Sequence, residues 1–414
     1  MDKVEKKKVL IVGSGASAYA TAYKFSQDVN IEEVYVAPGN AAMSEFASIV
    51  DIREDNVDEL LVFVLKNNID LTVAVSAKAV KVDIAGLFQA NSQDIFAPAA
   101  ISAEFALSRS NSKRFLYKQH IPTPRFGIFE KSSLALDYVS KAQMPVVITS
   151  NEVTDASVLC ACSTVDSARR CIEDMVLNNE DKIIIEEYLQ GHNFTVYVIT
   201  DGYHVLPLAV CAEYKFLEDG DGGLLTCGMG AFVPDYKVSR QVIDTVMENV
   251  RSILASLENK GTPYLGILGV ECVLLDNDNF VTTGFSTFLK DDSAQAVLNT
   301  LDDNLYILFK ACAIGSFADD YEQIATKGTA SVSAVLYSRD DGNIITGLDL
   351  TDDTTAVSHF STSKNELFEY LTNKGRTLVV TQEGATLSSA RRLLYENIDI
   401  INFKGKKFRS DICN

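Results

Sequence analysis

The chain has 414 residues, 47% hydrophobic and 22% charged, with a formal net charge of -19 and a pI near 4.7. That length holds two or three ordinary domains with buried cores, and the acidity excludes a general nucleic-acid surface, which would need Lys and Arg to neutralise phosphates. No apolar run reaches transmembrane length, and the N-terminus passes from charges straight into a strand and a glycine turn, so a soluble, cytoplasmic chain with no membrane partner is expected.

The predicted elements alternate. Lys7 to Gly15 reads as a buried strand entering a glycine turn, Ala16 to Gln27 as a helix, and Val34 to Asn40 as a second strand ending in a turn. A helix near Val57 to Asn67, a strand over Asp70 to Ser76, a helix near Val82 to Asn91 and a strand over Asp94 to Pro98 continue the pattern. This order predicts a doubly wound parallel sheet. The turn lacks the third glycine of a dinucleotide fingerprint and no acidic residue ends the second strand, so nicotinamide binding is not expected.

Ile101 to His120 reads as one helix, followed by the proline-punctuated strand Ile121 to Phe129 and a helix near Ser132 to Ala142. Met144 to Cys162 has the outline of two strands and a loop reaching over a phosphate, yet the loop carries neither the glycines nor the lysine that job normally uses. After a helix near Val165 to Leu177, two apolar strands flank the polar turn Glu186 to Gly191 and are expected to pair antiparallel. An acidic glycine-rich loop (Glu218 to Gly230), a long helix (Val238 to Glu258) and a strand (Ile267 to Phe285) follow, and the chain from Lys327 reads as mostly β, closed by a helix at Ser388 to Asn397. The eight cysteines are dispersed; Cys160 and Cys162 share one strand face, no cluster matches them for a metal, and reduced structural thiols are expected.

Several phrases in this order resemble the glycinamide ribonucleotide synthetase (phosphoribosylamine-glycine ligase) family of ATP-grasp enzymes of purine synthesis. They are Val34 to Ala41 (VYVAPGNA), His120 to Phe126 (HIPTPRF), Ile183 to Gly191 (IIIEEYLQG), Asp201 to Ala209, Asp219 to Phe232, and Gly375 to Ile412. The resemblance runs from Lys7 to Cys413. It implies an α/β ATP-grasp fold with an N-terminal doubly wound domain at 1–100, an ATP-grasp domain at 101–326 whose lid covers about 122–190, and a mostly β C-terminal domain at 327–414.

The resemblance also implies sites for ATP with magnesium, for glycine and for phosphoribosylamine, and each departs from the family pattern. The family's first phosphate-loop lysine falls on Thr149 and its second on Ser157, with Ala156 and Val158 in place of the loop glycines. Asp155 adds a negative charge where a triphosphate would lie, and exchanging attraction for repulsion at about 4 Å costs several kcal/mol at an effective dielectric near 20. The metal motif E-F-N-x-R-F-G-D-P-E falls on residues 284–293, so that its glutamate becomes Gly284, its asparagine Ser286 and its arginine Phe288. Glu271 stands where ATP-grasp relatives outside the family place a metal carboxylate. The arginine, glutamate and histidine of the phosphoribosylamine turn become Ser17, Ala18 and Tyr19, while Gly15, Pro38, Gly39 and Asn40 remain as remnants of that site. For the nucleotide, Glu186, Glu187, Tyr188 and Leu189 match the adenine hinge. Lys215 matches a family lysine, and Arg109 replaces another. The ribose-holding acidic pair is His192 and Asn193, and Lys215 and Arg109 read most simply as solvated surface residues.

These residues lead to three expectations. The first is a pseudoenzyme with the synthetase fold that binds an unknown protein partner or small ligand as a monomer or homodimer; it has at most weak ATP binding and no complete magnesium site. The second is an active ATP-dependent ligase with unusual ligands, using Glu271, Lys215 and Arg109. The third is a nucleotide-sensing module without turnover.

Overall fold

A computed structural model describes residues 6–152 and 159–414 of the chain. The first unit is a parallel sheet of β1 (Lys7–Gly13), β2 (Ile31–Pro38), β3 (Ser48–Ile49), β4 (Leu71–Ala74) and β5 (Ile95–Phe96), in the order β3-β2-β1-β4-β5. Val9 to Val12 are wholly buried, the continuous apolar run of a strand covered on both faces. The helix α1 (Ala16–Ser26) lies close to it because Ala16, Ala18, Ala20 and Ala22 present only methyl groups to their neighbours.

The lid is an antiparallel sheet of β6 (Phe126–Phe129), β7 (Val146–Ser150), β8 (Leu159–Cys162) and β9 (Ile183–Glu187), in the order β6-β9-β7-β8. The helices Ser132–Lys141 and Val165–Leu177 bury Val139, Ile172 and Met175 against it. The capping box of Thr164 and Ser167 fixes where the second helix starts.

The third layer is an antiparallel sheet of eight strands. It holds β10 (His192–Thr200), β11 (Val205–Glu218), β12 (Gly222–Val233), β13 (Gly266–Leu274), β14 (Phe280–Ser286), β15 (Ala330–Ser338) and β16 (Thr355–His359), with a small hairpin of β17 (Thr362–Lys364) and β18 (Tyr370–Thr372) beside it, and ends with β19 (Gly375–Gly384). Its order is β14-β13-β10-β11-β12-β15-β19-β16, so the pairing of β12 with β15 carries the sheet without a break past residue 326. On β10 the pleat divides the core: Phe194, Val196 and Val198 face the helix Arg240–Glu258, while Tyr197 and Ile199 pack toward α1 and the helix Leu305–Ile314.

The structure corrects four sequence expectations. The strands flanking Glu186 to Gly191 do not pair with each other: β9 belongs to the lid and β10 to the central sheet, so the turn crosses between sheets. A side chain at Gly191 would meet the Leu274 carbonyl oxygen at 2.3 Å, and glycine permits this close crossing. The run Ile267 to Phe285 is two antiparallel strands, parted by the Asp276–Asp278 turn with Asn277 at φ 57. Ile101 to His120 breaks into the helices Ala100–Ala103 and Arg109–Lys118, because Ser108 caps the second. Cys160 is not a free thiol; it forms a disulfide with Cys171 across β8 and the helix packed on it. The described cysteines 162, 211, 272, 312 and 413 are free.

Candidate functional site

Between the lid and the central sheet lies a cleft with a cavity volume of about 220 Å³. Arg109, Thr149, Glu186, Glu187, Tyr188, Leu189, Lys215 and Glu271, scattered through the sequence, all line it. Apolar walls come from both sides: Val147 and Leu159 of the lid, Phe216, Leu225 and Val273 of the sheet.

The sheet builds the floor by register. Glu271 on β13 sits directly across from Thr195 on β10, and Glu213 and Lys215, two residues apart on β11, share a face. The Thr195 hydroxyl donates to Glu213 Oε1 at 2.7 Å. Past the end of β14 the chain turns back under the sheet, where the backbone N–H of Lys290 donates to the buried Tyr197 hydroxyl at 3.3 Å and Ser293 Oγ lies 2.9 Å from the same oxygen. This anchoring directs the Lys290 side chain at both carboxylates.

Lys290 Nζ lies 2.5 Å from Glu213 Oε1 and 3.7 Å from Glu271 Oε2. Lys215 Nζ is 3.3 Å from Glu271 Oε2 and 3.8 Å from Glu213 Oε2. The two ammoniums and two carboxylates neutralise one another in a largely buried setting, where an unpaired charge would be costly. Burial pushes the Glu271 carboxyl up, but Lys290 and Lys215 outweigh it and hold the group down at about 2. Burial disfavours the Lys290 ammonium, and Glu213 and Glu271 reverse this, raising it well above the ordinary lysine range. A divalent ion does not fit this floor as it stands, because ammonium groups already hold both carboxylates. Among the described residues no group of three or more His, Cys, Asp or Glu side chains is placed to hold a metal.

The hinge is ion-paired as well. The buried Lys113 ammonium is 2.5 Å from Glu186 Oε2 and donates to the Thr283 carbonyl at 2.8 Å. Arg125 Nε reaches Glu187 Oε2 at 2.7 Å. Arg109 is not a solvated surface group: its guanidinium donates to the carbonyls of Ser150 at 3.3 Å and Glu152 at 2.9 Å, tying the second helix to the lid. Lys215 is likewise no surface charge. His192, in the ribose position, pairs through Nε2 with the buried Asp235 at 2.5 Å.

Thr149 is buried on β7 with no hydrogen-bond partner for its hydroxyl; Ser157, with Asp155, Ala156 and Val158, lies outside the described residues. Gly284 sits opposite Glu271, and a Cβ there would meet nothing within 4 Å. The Ser286 hydroxyl is buried and unpartnered. Phe288 is not in the cleft; it lines a narrow crevice with Ser17, Val75 and Pro98 at the edge of the N-terminal sheet.

The remnants of the phosphoribosylamine turn lie apart from the cleft and are occupied by the protein itself. Asp291, next to Lys290, accepts from the Ser17 N–H at 2.7 Å, and a side chain at Gly15 would come within 2.6 Å of the same carboxylate oxygen. Asp291 thereby puts its charge at the N-terminus of α1, where an anion is favoured. Gly39, at φ +65, follows Pro38, and the Asn40 amide holds the carbonyls of Ser14 and His359, both at 3.0 Å. Tyr19 stacks on His359 with 5.8 Å between ring centroids.

Sequence reading missed Lys290, Lys113 and the pairing of Glu213. A lysine before two aspartates reads as a solvated charge; only its place just past a strand that borders the cleft would have marked it.

Family models for phosphoribosylglycinamide synthetase match the N domain over residues 7–105, the ATP-grasp domain over 107–292 and the C domain over 337–414. A phosphoribosylamine-glycine ligase of Neisseria meningitidis is 30% identical, with 98% of this chain and 99% of that protein covered. The same-named protein of Halalkalibacterium halodurans is 29% identical over 98% of this chain and 96% of that one. The crystal structure of phosphoribosylamine-glycine ligase from Thermotoga maritima superposes with a TM-score of 0.79 at 22% identity, covering 98% of this chain and 99% of that one. The biotin carboxylase domain of a Hydrogenobacter thermophilus 2-oxoglutarate carboxylase does so with 0.71 at 13% identity, over 97% and 91%; these likenesses agree with an ATP-grasp fold carrying an N-terminal parallel sheet. The chain belongs to the phosphoribosylglycinamide synthetase family.

Proposed function

We propose that this member of the family does not join glycine to phosphoribosylamine and instead uses the cleft to hold a small ligand of low charge, or a partner protein, without turnover. The observation that carries the reading is that, among the described residues, every charged side chain lining the cleft is engaged within the chain: Lys215 and Lys290 with Glu271 and Glu213, Glu186 with Lys113, Glu187 with Arg125, and Arg109 with lid carbonyls. Acyl-phosphate chemistry needs cations free to stabilise charge that develops on the phosphates, and such stabilisation is usually the largest catalytic contribution. Departures from the family pattern at Thr149, Ser157, Gly284, Ser286 and Phe288 support the same reading. What remains open to a ligand is the apolar wall of Val147, Leu159, Phe216, Leu225 and Val273 and the backbone of the hinge. Such a surface suits a flat ring better than a metal-bridged triphosphate.

A second reading, an ATP-dependent ligase working through Lys215, Arg109 and Glu271, is favoured by the open cleft and by likeness to ligases over the whole chain. One assay separates the two: the purified chain is given ATP, magnesium, glycine and phosphoribosylamine, and ADP is followed. The first reading predicts no ADP above background. Turnover within roughly tenfold of a typical enzyme, near 10 per second, establishes the second.

A further inference from the structure

A buried and a half-buried acidic side chain do not converge on one point of a sheet without a cation between them, because an unpaired carboxylate in such a setting costs several kcal/mol. Glu213 and Glu271 come from β11 and β13, on either side of β10, and both reach the same ammonium, that of Lys290. Lys290 is not a surface lysine that has folded inward: its peptide N–H is held by Tyr197, and its carbonyl accepts from the N–H groups of Ser293 at 3.1 Å and Ala294 at 2.7 Å. Its side chain leaves a fixed backbone and ends between the carboxylates. Glu213 keeps one oxygen, Oε2, buried and without a hydrogen bond, its nearest cation being the Lys215 ammonium at 3.8 Å, so a ligand could still take that atom. Gly284 leaves free space across from Glu271. Two carboxylates, a spare oxygen and adjoining space are what a small divalent cation would take, if the ammonium were absent.

We propose that the Lys290 ammonium is the resident cation of the Glu213–Glu271 pair, a covalently tethered substitute that keeps divalent metal ions out of the cleft and makes ligand binding there independent of them. A tethered cation does not diffuse away, and at about 4 Å in an effective dielectric near 20 its repulsion of each further positive charge is about 4 kcal/mol. Lys215, on the other side of Glu271, adds to the exclusion. This inference does not rest on the absence of ligase turnover: a ligase lacking a metal at this point, or a binding protein holding one, are both conceivable, and the measurements below separate them from the ADP assay.

The test is a titration of the full chain with Mn²⁺, free ion being read by electron paramagnetic resonance, on the unmodified protein, Glu271→Gln, Lys290→Ala, and Lys290→Ala with Glu271→Gln. The unmodified protein should show no saturable site that depends on Glu271. Lys290→Ala should gain one Mn²⁺ site, tighter by at least roughly a hundredfold, and the added Glu271→Gln should abolish it. Mn²⁺ should also raise the melting temperature of Lys290→Ala and leave that of the unmodified protein unchanged. Should Lys290→Ala fail to fold, Lys290→Gln, which keeps most of the volume, carries the same comparison. The proposal is overturned if the unmodified protein binds Mn²⁺ at a site that Glu271→Gln removes, or if a folded Lys290 variant binds Mn²⁺ no more tightly than the unmodified chain.

Discussion

The floor of the cleft and the mouth of the β1–α1 turn meet the same problem with opposite charges. In the first, two carboxylates receive the Lys290 ammonium; in the second, the N-terminus of α1 receives the Asp291 carboxylate. One dipeptide therefore supplies a cation to one site and an anion to the other. The difference lies in what each charge replaces. At the floor, full charges face each other with little water, and loss of the partner strands a buried ion. At the helix, the partners are the Ser17 N–H, a partial charge and the Arg376 guanidinium at 3.8 Å, and water can serve the first two in its place. The two sites should therefore differ sharply in what they contribute to stability.

The largest expected effect is at the floor. Lys290→Ala leaves the buried Glu213 without its closest counter-charge, and urea denaturation should show a loss of about 3 kcal/mol or more. An equal, small loss for Lys290→Ala and Asp291→Asn would break the comparison.

Asp292, the next residue, sharpens it through pH. Both its oxygens are buried without a hydrogen bond, and burial, opposed by Lys290 and Arg376 and aided by Glu213 and Asp291, lifts its carboxyl from the ordinary 3.8 to about 7. A raised carboxyl pKa means that the native state holds a proton the unfolded chain has lost, so this group lowers stability as pH rises from about 4 to 7, after which its cost is constant. Asp292→Asn removes the penalty. Its stability relative to the unmodified protein should improve between pH 5 and pH 8 by on the order of 2 kcal/mol, and a difference that is flat across that range would contradict the assignment. Glu271 has the opposite sign: held at about 2, it adds stability above the ordinary carboxylate range that is lost only as pH falls toward 2.

At the helix, Asp291→Asn should cost about 1 to 2 kcal/mol, for the loss of an N-terminal cap and of the charge facing Arg376 at 3.8 Å, with α1 otherwise retained by circular dichroism. Smallest of all is Arg125→Ala at the hinge. Its side chain is 81% exposed, and loss of the pair with Glu187 should change stability by less than about 1 kcal/mol. A larger loss would mean that the hinge, not the floor, organises the cleft.

Much of this fold was legible in the sequence, and the reasons are local. Val57–Asn67 and Val165–Leu177 carry apolar residues at helical spacing with clear ends, and both helices have those bounds. The turn inside Ile267 to Phe285 was hidden because apolar residues flank it on both sides, although D-N-D-N is itself a turn signal. The crossing at Glu186 to Gly191 was misread as a hairpin, since two strands around a short polar turn look alike whether they join one sheet or two. For the site, Glu186 to Leu189, Lys215, Arg109 and Glu271, singled out by position in the family pattern, line one cleft. The pairing of Lys290 with Glu213 and Glu271 was not, because residues 77 and 19 positions apart in sequence meet only through the order β13-β10-β11.

The most direct test of the account is calorimetry of ATP against the unmodified chain, once with magnesium and once with a chelator. If Lys290 is the resident cation, the two titrations should agree within about twofold, whether the heat shows weak binding or none. An affinity at least about tenfold higher with magnesium, equivalent to about 1.4 kcal/mol, would mean that the cleft takes up the metal after all and would contradict the account.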